Sequence, residues 1–342
     1  MTKHLPLLTV VVPCFNEAEV LPETARRLGL LLDGLVQNRQ VAPGSYACFV
    51  DDGSTDRTWA VIRKLRASSC RFSGLKLSRN RGHQTALMAG LLEAQGDIVV
   101  SVDADLQDDL DAIQAMLHAQ ARGADVVYGV RATRTTDTAA KRISARLYYR
   151  LLRWLKVEIV FDHADFRLMT RRVIEALRQY DESNLFLRAL IPQLGFDAQI
   201  VTYERAGRFA GTSKYPLGKM LALALEGVTS FSTRPLRIIT ALGCAMSLFS
   251  LGLTAWALLA WLVFTSTVPG WASTVIPIYL VCGVQLLSMG VIGEYVGKIY
   301  LETKRRPRYH IAETLMPTDT AERLYFDLDQ NLAVDATASV LA

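Results

Sequence analysis

The sequence predicts an α/β domain built on a doubly wound, mainly parallel sheet, followed by an interfacial amphipathic helix and two transmembrane helices. In the first part of the 342-residue chain, short β-rich segments alternate with segments of helical periodicity, as in parallel α/β sheets. In the second part, two long apolar stretches occupy a region that has no charged residue between Arg237 and Glu294. The whole chain is 51% hydrophobic and 21% charged, which is too apolar for an ordinary soluble enzyme and indicates a membrane segment.

The elements of the predicted sheet follow from the apolar runs and the breaks between them. The first run, 7–15, is continuously apolar and is typical of a buried parallel strand. We expect strands at 46–50, 75–77, 97–102 and 125–130, and a strand-like segment within 161–170 and near 198–204. We expect helices at 17–35, at 56–67 with Ser54 or Thr55 as its cap, at 83–94, at 109–122, and near 171–180 and 184–194.

A cluster of carboxylates follows the predicted strand 97–102. Asp103 and Asp105 are two residues apart, so they point to the same side if the strand conformation continues through them. Two oxygen ligands in this arrangement suit Mg²⁺ or Mn²⁺, and such a cation in turn suits a diphosphate. The alternative is that the acidic residues only end the strand and cap the next helix. These residues by themselves leave both interpretations open.

Several classes of function are disfavoured by the sequence. No Gly-x-Gly-x-x-Gly follows the first strand and no Gly-x-x-x-x-Gly-Lys-Ser/Thr occurs, which argues against a dinucleotide-binding enzyme and a P-loop ATPase. The net charge of +5 is modest, so nucleic acid is not an expected partner. The five cysteines are scattered without metal-ligand spacing, and we expect them to be reduced.

Two apolar stretches, 236–264 and 275–296, are each long enough to cross a bilayer. The segment between them is uncharged, whereas basic residues flank the outer ends of the pair. By the positive-inside rule, we expect a multi-pass protein of the inner membrane with the α/β domain and both termini cytoplasmic. The predicted domains are the α/β domain at 1–212, a juxtamembrane amphipathic helix at 213–234, a two-helix hairpin at 235–300 and a cytoplasmic tail at 301–342.

Two basic segments are candidates for holding an anionic group. The first, 131–153, contains seven cationic residues; a solvated helix face, attraction to anionic lipid headgroups and substrate binding all remain open for it. The second, 204–215, combines cations with Ser213 and two glycines. Cationic side chains, a hydroxyl and a flexible backbone are what a phosphate group requires, so this loop predicts a phosphate contact.

Six motifs occur in order along the chain: PCFNE at 13–17, VDDGSTD at 50–56, LSRNRGHQ at 77–84, DADLQD at 103–108, DFR at 165–167 and RFAGTSKY at 208–215. Together they resemble family 2 glycosyltransferases of the polyprenyl-phosphate branch, which includes bactoprenol glucosyltransferases, undecaprenyl-phosphate aminoarabinose transferases and dolichol-phosphate mannose synthases. The resemblance extends from about residue 7 to residue 304. It implies a GT-A domain that moves a sugar from a nucleotide sugar to a lipid phosphate with inversion at the anomeric centre.

The resemblance also implies roles for individual residues on the donor side of the site. Asp103 and Asp105 would lie at the metal and the diphosphate, with Gln107 as a further oxygen ligand for Mg²⁺ or Mn²⁺. The residues that would line the nucleoside pocket are Pro13, Asn16, Glu17, Asp51 and Asp52.

The remaining implied site residues are cations and one further carboxylate. Asp165 would position the acceptor, bind sugar hydroxyls or only brace Arg167. His83 is interpreted as a helix-start residue bonded to backbone rather than as a ligand or base, and Asp108 and Asp109 as helix-start carboxylates. Besides Asp105 and Asp165, the implied catalytic residues are Arg208 and Lys214, and the implied binding residues of the phosphate groups are Arg131, Arg205 and Ser213.

The resulting expectation is an inverting transfer of a sugar, with glucose favoured, from a UDP-sugar to undecaprenyl phosphate at the cytoplasmic leaflet. A different acceptor (glycolipid, glycan or protein), transfer of N-acetylhexosamine or aminoarabinose, and a non-catalytic nucleotide-sugar-binding scaffold remain as alternatives. Two spans do not readily enclose a polymer channel, which disfavours processive synthesis. The expected partners are the UDP-sugar, the polyprenyl phosphate, membrane lipids and, through glycines on the two spans, a second copy of the chain.

Overall fold

The computed structural model describes residues 5–131, 163–182, 187–204 and 270–315, together with a discontinuous part of 236–259. Its contacts divide the chain into two units. One comprises Met1–Tyr149, Glu158–Lys214 and Pro307–Ala342, and the other comprises Arg150–Val157 and Tyr215–Arg306. Each unit is described separately.

An eight-stranded mixed sheet forms the centre of the first unit, counting the described residues. Its strands are β1 (Leu8–Cys14), β2 (Tyr46–Asp51), β3 (Phe72–Leu77), β4 (Ile98–Ser101), β5 (Val126–Arg131), β6 (His163–Thr170), β7 (Ala198–Tyr203) and β8 (Ile311–Thr314). They lie in the order β7-β5-β6-β4-β1-β2-β3-β8. Strands β6 and β8 are antiparallel to their neighbours, whereas the pairs β1–β2, β1–β4, β2–β3 and β5–β7 are parallel. The prediction of a mainly parallel sheet is therefore confirmed.

Helices cover both faces of this sheet. They are α1 (Leu21–Gln37), α2 (Thr58–Ser68), α3 (His83–Glu93), α4 (Ala112–Ala121), α5 (Arg171–Arg178) and α6 (Leu187–Gln193). Alternate residues of β1 belong to different cores, because Val10 and Val12 pack with α1, α2 and α4 while Val11 packs with α3, α5 and α6. Burying one such aliphatic side chain contributes about 1.5–3 kcal/mol. The doubly wound arrangement is confirmed.

The beginnings of two helices differ from the prediction. Helix α1 begins at Leu21 with a proline in its first turn, four residues later than expected. Helix α2 begins at Thr58, and its first N–H groups are not capped by Ser54 or Thr55. Instead, Asp56 Oδ1 accepts the N–H of Thr58 at 2.9 Å, while Ser54 Oγ accepts the N–H of Asn16 at 2.9 Å. The predicted cap is wrong because this hydroxyl binds a neighbouring loop.

The eighth strand comes from the segment predicted as a tail. Strand β8 pairs antiparallel with β3. Its Glu313 carboxylate accepts hydrogen bonds from Trp59 Nε1 at 3.0 Å and Arg63 Nη2 at 2.6 Å. The ladder and these side-chain contacts hold the segment against the edge of the sheet. Residues 316–342 lie outside the described part of the chain.

The second unit contains α7 (Trp271–Thr303), a helix of 33 residues that includes the predicted span 275–296. Several of its apolar side chains, such as Leu286, Met289 and Ile299, are more than 60% exposed. Counting only the residues that the structure describes, no helix combines the length and the apolar character needed to cross a membrane. The predicted span 236–264 is described only in part, and the predicted amphipathic helix 213–234 lies outside the described residues.

Candidate active site

The predicted site residues converge at the carboxyl ends of β1, β2 and β4. Strand β1 lies between the other two in the sheet and is parallel to both. The chain continues from β1 to β2 on one side of it, whereas β4 pairs with its other side. The strand order therefore reverses at β1, which makes this a topological switch point. In open α/β sheets this is where ligands bind, in the crevice beyond the strand ends.

The loops that follow β1 and β2 are joined through Asn16. Its Oδ1 atom accepts the N–H of Thr55 at 2.9 Å, and its own N–H donates to Ser54 Oγ. Asn16 adopts a positive φ of 55°, a conformation that asparagine tolerates better than most residues. Asn16, which is predicted to line a nucleoside pocket, thus holds the two loops together. Pro13 is buried within β1, where it pairs with Val50.

The two aspartates at the end of β2 are buried and organise the next loop. Asp52 accepts the N–H groups of Arg81 at 2.7 Å and Gly82 at 2.9 Å. Burial raises the pKa of Asp52, and these two hydrogen bonds oppose that rise. Asp51 Oδ1 accepts the N–H of Ser54 at 3.0 Å, whereas its Oδ2 atom is buried without a hydrogen-bond partner among the described residues. An acceptor in this state is suited to a donor group on a ligand.

Gly53 allows the loops after β2 and β3 to touch. It adopts a φ of +66°, and a Cβ at this position would lie 2.5 Å from the Arg79 carbonyl carbon and 2.6 Å from the Asn80 nitrogen. Only a residue without a side chain permits this approach of two backbones.

We expect Gly53→Ala to lower the apparent Tm more than Gly195→Ala does. Gly195 has a similar φ of +71°, but an added methyl group there would meet open space, so its substitution carries only the conformational cost of about 1–2 kcal/mol. Gly53→Ala adds a clash with backbone that has no rotamer by which to relieve it. Thermal unfolding of the two variants measures the difference. Equal Tm values would contradict the close packing of these loops.

The acidic loop, residues 102–108, continues the alternation of a strand beyond the end of β4. Asp103, Asp105 and Gln107 are partly exposed, whereas Val102, Ala104, Leu106 and Asp108 are buried. The hydroxyl of Thr24 on α1 donates to the carbonyl of Ala104 at 2.9 Å, which fixes the buried side of the loop. The strand itself ends at Ser101, so the condition under which Asp103 and Asp105 were predicted to share a side is not met.

Several carboxylates lie close together in and beside the acidic loop. The pKa of Asp103 is raised to about 6, first by burial and then by the carboxylates of Asp108, Asp165 and Asp105, with His83 opposing. Among the described residues, no group of three or more His, Cys, Asp or Glu side chains is arranged to hold a metal ion. Asp103 and Asp105 nevertheless fit Mg²⁺ or Mn²⁺, because such ions are commonly held by one or two carboxylates together with substrate phosphates and water.

Asp165 on β6 is the most heavily bonded carboxylate of the site. Its side chain is only 5% exposed. The guanidinium of the fully buried Arg167 donates to Oδ1. Arg188 on α6 and Gln84 on α3 each donate to Oδ2 at 3.1 Å. Although burial raises the pKa of Asp165, hydrogen bonding to His83 and the charges of Arg167 and Arg188 hold that pKa well below its usual range.

These contacts favour the bracing role among those considered for Asp165. A carboxylate that accepts several hydrogen bonds and has a strongly lowered pKa is a weak base. Its contact with Arg167 is the one predicted from the sequence. The contacts with Gln84 and Arg188 were missed, because these residues are 81 and 23 positions away. Gln84 lies in the motif 77–84, which was the one sequence signal available for it.

His83 is not the backbone-bonded residue that the sequence predicts. It does begin α3, but its Nε2 atom lies 3.3 Å from Asp165 Oδ2 and 3.6 Å from Asp103 Oδ1. Although burial lowers the pKa of His83, the hydrogen bond to Asp165 and the charges of both aspartates raise it overall. The prediction is wrong because it considers only the local helix start and not the strand that lies across from it.

Asp108 also differs from its predicted role. Helix α4 begins at Ala112, and Asp108 instead accepts a hydrogen bond from the hydroxyl of Tyr203 on β7. Arg131, which was predicted to bind a phosphate, lies beside this pair, with Nη2 3.8 Å from the Asp108 carboxylate and Nε 3.4 Å from the Tyr203 hydroxyl. Asp109 keeps the helix-start role, since its Oδ1 accepts the N–H of Asp111 at 3.0 Å.

Four of the predicted site residues lie outside the described part of the chain: Arg205, Arg208, Ser213 and Lys214. The described part of the candidate site therefore consists of the loops after β1 to β4 and the carboxylate on β6.

The sequence matches the model of the family described as "Glycosyl transferase family 2" over residues 9–178. It is also 47% identical over 313 residues to the uncharacterised glycosyltransferase YkoT of Bacillus subtilis, with 91% of this chain and 93% of that protein covered. The chain belongs to glycosyltransferase family 2. It is accordingly a glycosyltransferase enzyme.

Other relatives within this family have more specific names. The bactoprenol glucosyl transferase of Shigella phage SfV is 39% identical, with 89% of this chain and 97% of that protein covered. The prophage bactoprenol glucosyl transferase homologue of Escherichia coli is 37% identical, with 89% and 98% covered. Among solved structures, glucosyl-3-phosphoglycerate synthase from Mycobacterium tuberculosis is 21% identical with a TM-score of 0.40, covering 66% of this chain and 76% of that one.

Proposed function

We propose that this family 2 glycosyltransferase moves a glucosyl group from UDP-glucose to a polyprenyl phosphate, with inversion of the anomeric carbon. The observation that carries the proposal is the similarity, over nearly the whole chain, to proteins named bactoprenol glucosyl transferase. The aligned part is longer than the α/β unit alone, so it includes segments beyond the nucleotide-binding half.

The geometry of the described residues supports a nucleotide-sugar donor. The loops after β1, β2 and β3 are tied by Asn16, Asp52 and Gly53 into one wall of the crevice. The unpartnered Asp51 Oδ2 in that wall is an acceptor suited to a base or ribose donor. The acidic loop forms the neighbouring side, where Asp103 and Asp105 would hold Mg²⁺ or Mn²⁺ together with the diphosphate.

In the proposed reaction, an oxygen of the acceptor phosphate forms a bond to the anomeric carbon while the bond from that carbon to the UDP oxygen breaks. Because the acceptor phosphate is already anionic at neutral pH, little general-base catalysis is needed. The low pKa of Asp165 agrees with that expectation. A divalent cation would stabilise the negative charge on the departing UDP.

The proposed acceptor places the enzyme at a membrane. Support comes from the uncharged region between Arg237 and Glu294 and from the cations beyond its ends, including Lys298, Lys304 and Arg305. The apolar exposure of α7 in the second unit agrees with contact to lipid rather than water. We propose that both termini and the α/β unit are cytoplasmic and that the region 235–300 is the membrane anchor.

A nucleotide-sugar screen on the full-length, detergent-solubilised protein tests this proposal. We expect UDP-glucose and undecaprenyl phosphate to give a glucosylated lipid phosphate, identified by its mass and by its lability to mild acid. EDTA should abolish the product and Mn²⁺ or Mg²⁺ should restore it. Asp105→Asn should abolish the product as well, and the loss can be ascribed to the charge because this partly exposed carboxylate can be neutralised without opening a cavity in the core.

Three results would contradict parts of the proposal. A product formed from another UDP-sugar would change the donor, and a labelled glycolipid, glycan or protein without lipid phosphate would change the acceptor. Full activity in EDTA, or in Asp105→Asn, would remove the cation from the mechanism.

A further inference from the structure

Contacts hold both the backbone and the ring of His83 in place. Its backbone follows Gly82, which has a φ of +89° and donates its N–H to Asp52 at 2.9 Å. Its ring is placed by Nε2, which lies within 3.3 Å of Asp165 and 3.6 Å of Asp103. The loop that shapes the nucleotide side therefore also sets where this imidazole stands.

The two carboxylates that the ring contacts differ in how firmly they are held. Asp165 is anchored in the core, since its partner Arg167 is fully buried and also donates to the carbonyl of Leu187 at 3.3 Å. Asp103 lies beyond the end of β4 and its side chain is 32% exposed. His83 thus connects a fixed carboxylate to a less constrained one.

We propose that His83 is a positioning residue that orients the Asp103 carboxylate for binding a divalent cation. The imidazole N–H donates to Asp165, and the ring then borders Asp103 and limits the rotamers that this side chain can adopt. Orienting partners behind metal ligands typically change metal affinity by 10- to 100-fold. The inference rests on the cation of the proposed function, but it concerns affinity for that cation and not the identity of the sugar or acceptor.

The test measures Mn²⁺ binding to the full-length protein in the presence of UDP, whose phosphates complete such a site, by isothermal titration calorimetry with the titration of Mn²⁺ into UDP alone subtracted. We expect His83→Phe to weaken binding about tenfold or more. His83→Gln should recover most of the affinity, since its amide N–H can still donate to Asp165. Asp103→Asn should abolish the signal, which identifies the site being titrated.

His118→Phe is the matched control. His118 lies on α4, and its ring contacts Gln40 at 3.3 Å, so the same change of side chain is made outside the site. We expect wild-type Mn²⁺ affinity and wild-type transfer from this variant. Apparent Tm values of all variants show whether each one is folded.

The proposal is overturned if His83→Phe binds Mn²⁺ as tightly as the wild type, or if His83→Gln is as impaired as His83→Phe. It is also overturned if the wild type binds no Mn²⁺. Failure of the proposed function has a different signature: Mn²⁺ affinity would depend on His83 as described while UDP-glucose and undecaprenyl phosphate gave no lipid product.

Discussion

Asp165→Asn is expected to lower the free energy of unfolding by about 3–5 kcal/mol, the usual cost of removing one partner of a buried ion pair. The substitution leaves Arg167 charged in a fully buried position, and it weakens the contacts to Arg188 and Gln84 as well. For a chain of this size the loss corresponds to a fall in apparent Tm of roughly 10 °C. Thermal unfolding of the full-length protein in detergent measures it, and glucosyl transfer should fall along with stability.

The pH dependence of this loss follows from the direction of the shift. The pKa of Asp165 in the folded protein lies well below 3.8. Ionisation of Asp165 therefore stabilises the fold at every pH above its pKa in the unfolded chain, and this stabilisation is lost as the pH falls through its pKa in the folded protein. The Tm difference between wild type and variant should therefore persist at neutral pH and shrink below pH 4. Within the neutral range it should be larger on the acidic side, where His83 is protonated, because Asp165 raises the pKa of that imidazole. A difference that vanished already near pH 6 would contradict the ion pair as its source.

Arg188→Met serves as the control for this experiment. Arg188 contacts the same carboxylate, but its side chain is 40% exposed, and exposed ion pairs contribute only about 0–1 kcal/mol. We expect a Tm close to that of the wild type. A large loss of stability in Arg188→Met would show that the exposed Arg188 stabilises the protein as much as the buried Arg167 does.

The contrast between these two arginines shows where prediction from sequence ends. The alternation of strands and helices follows from apolar runs and helical periodicity, which are local. The contacts of Asp165 depend on β6 entering the sheet antiparallel between β4 and β5, and an apolar strand pattern carries no information on direction. That insertion is what brings His83, Arg167 and Arg188 to one carboxylate.

The errors near the acidic loop have a related cause. An aspartate shortly before a helix is a good local candidate for a cap, and this local signal predicts a helix start at Asp108. The structure instead pairs it with Tyr203, which is 95 positions away. Strand β8 is four residues long, too short to show a period, and its position is set by pairing with β3 and by Glu313. In each case a tertiary contact outweighs the local signal.

Asp103→Asn is expected to have the opposite effect on stability from Asp165→Asn while also abolishing transfer. The pKa of folded Asp103 is raised from 3.8 to about 6, so ionisation of this group destabilises the fold at neutral pH. Two pKa units correspond to about 3 kcal/mol, and the partial exposure of the side chain reduces this to about 1–2 kcal/mol. At pH 7.5, without divalent cations, the variant should therefore unfold at a higher temperature than the wild type.

The direction of the pH dependence shows whether the stabilisation by Asp103→Asn comes from the raised pKa of Asp103 or merely from removing a negative charge. Because the destabilisation begins above the unfolded pKa and is complete above about 6, the advantage of Asp103→Asn should fade as pH is lowered from 7 to 4.

Mn²⁺ should raise the Tm of the wild type but not of the variant, since only the wild type keeps the carboxylate that binds it. Transfer should drop by about 100-fold or more, as expected when about 3 kcal/mol of charge stabilisation is lost. A variant that was less stable than the wild type at pH 7.5 would refute the raised pKa of Asp103. A variant that stayed active would refute the role of Asp103 in holding the cation.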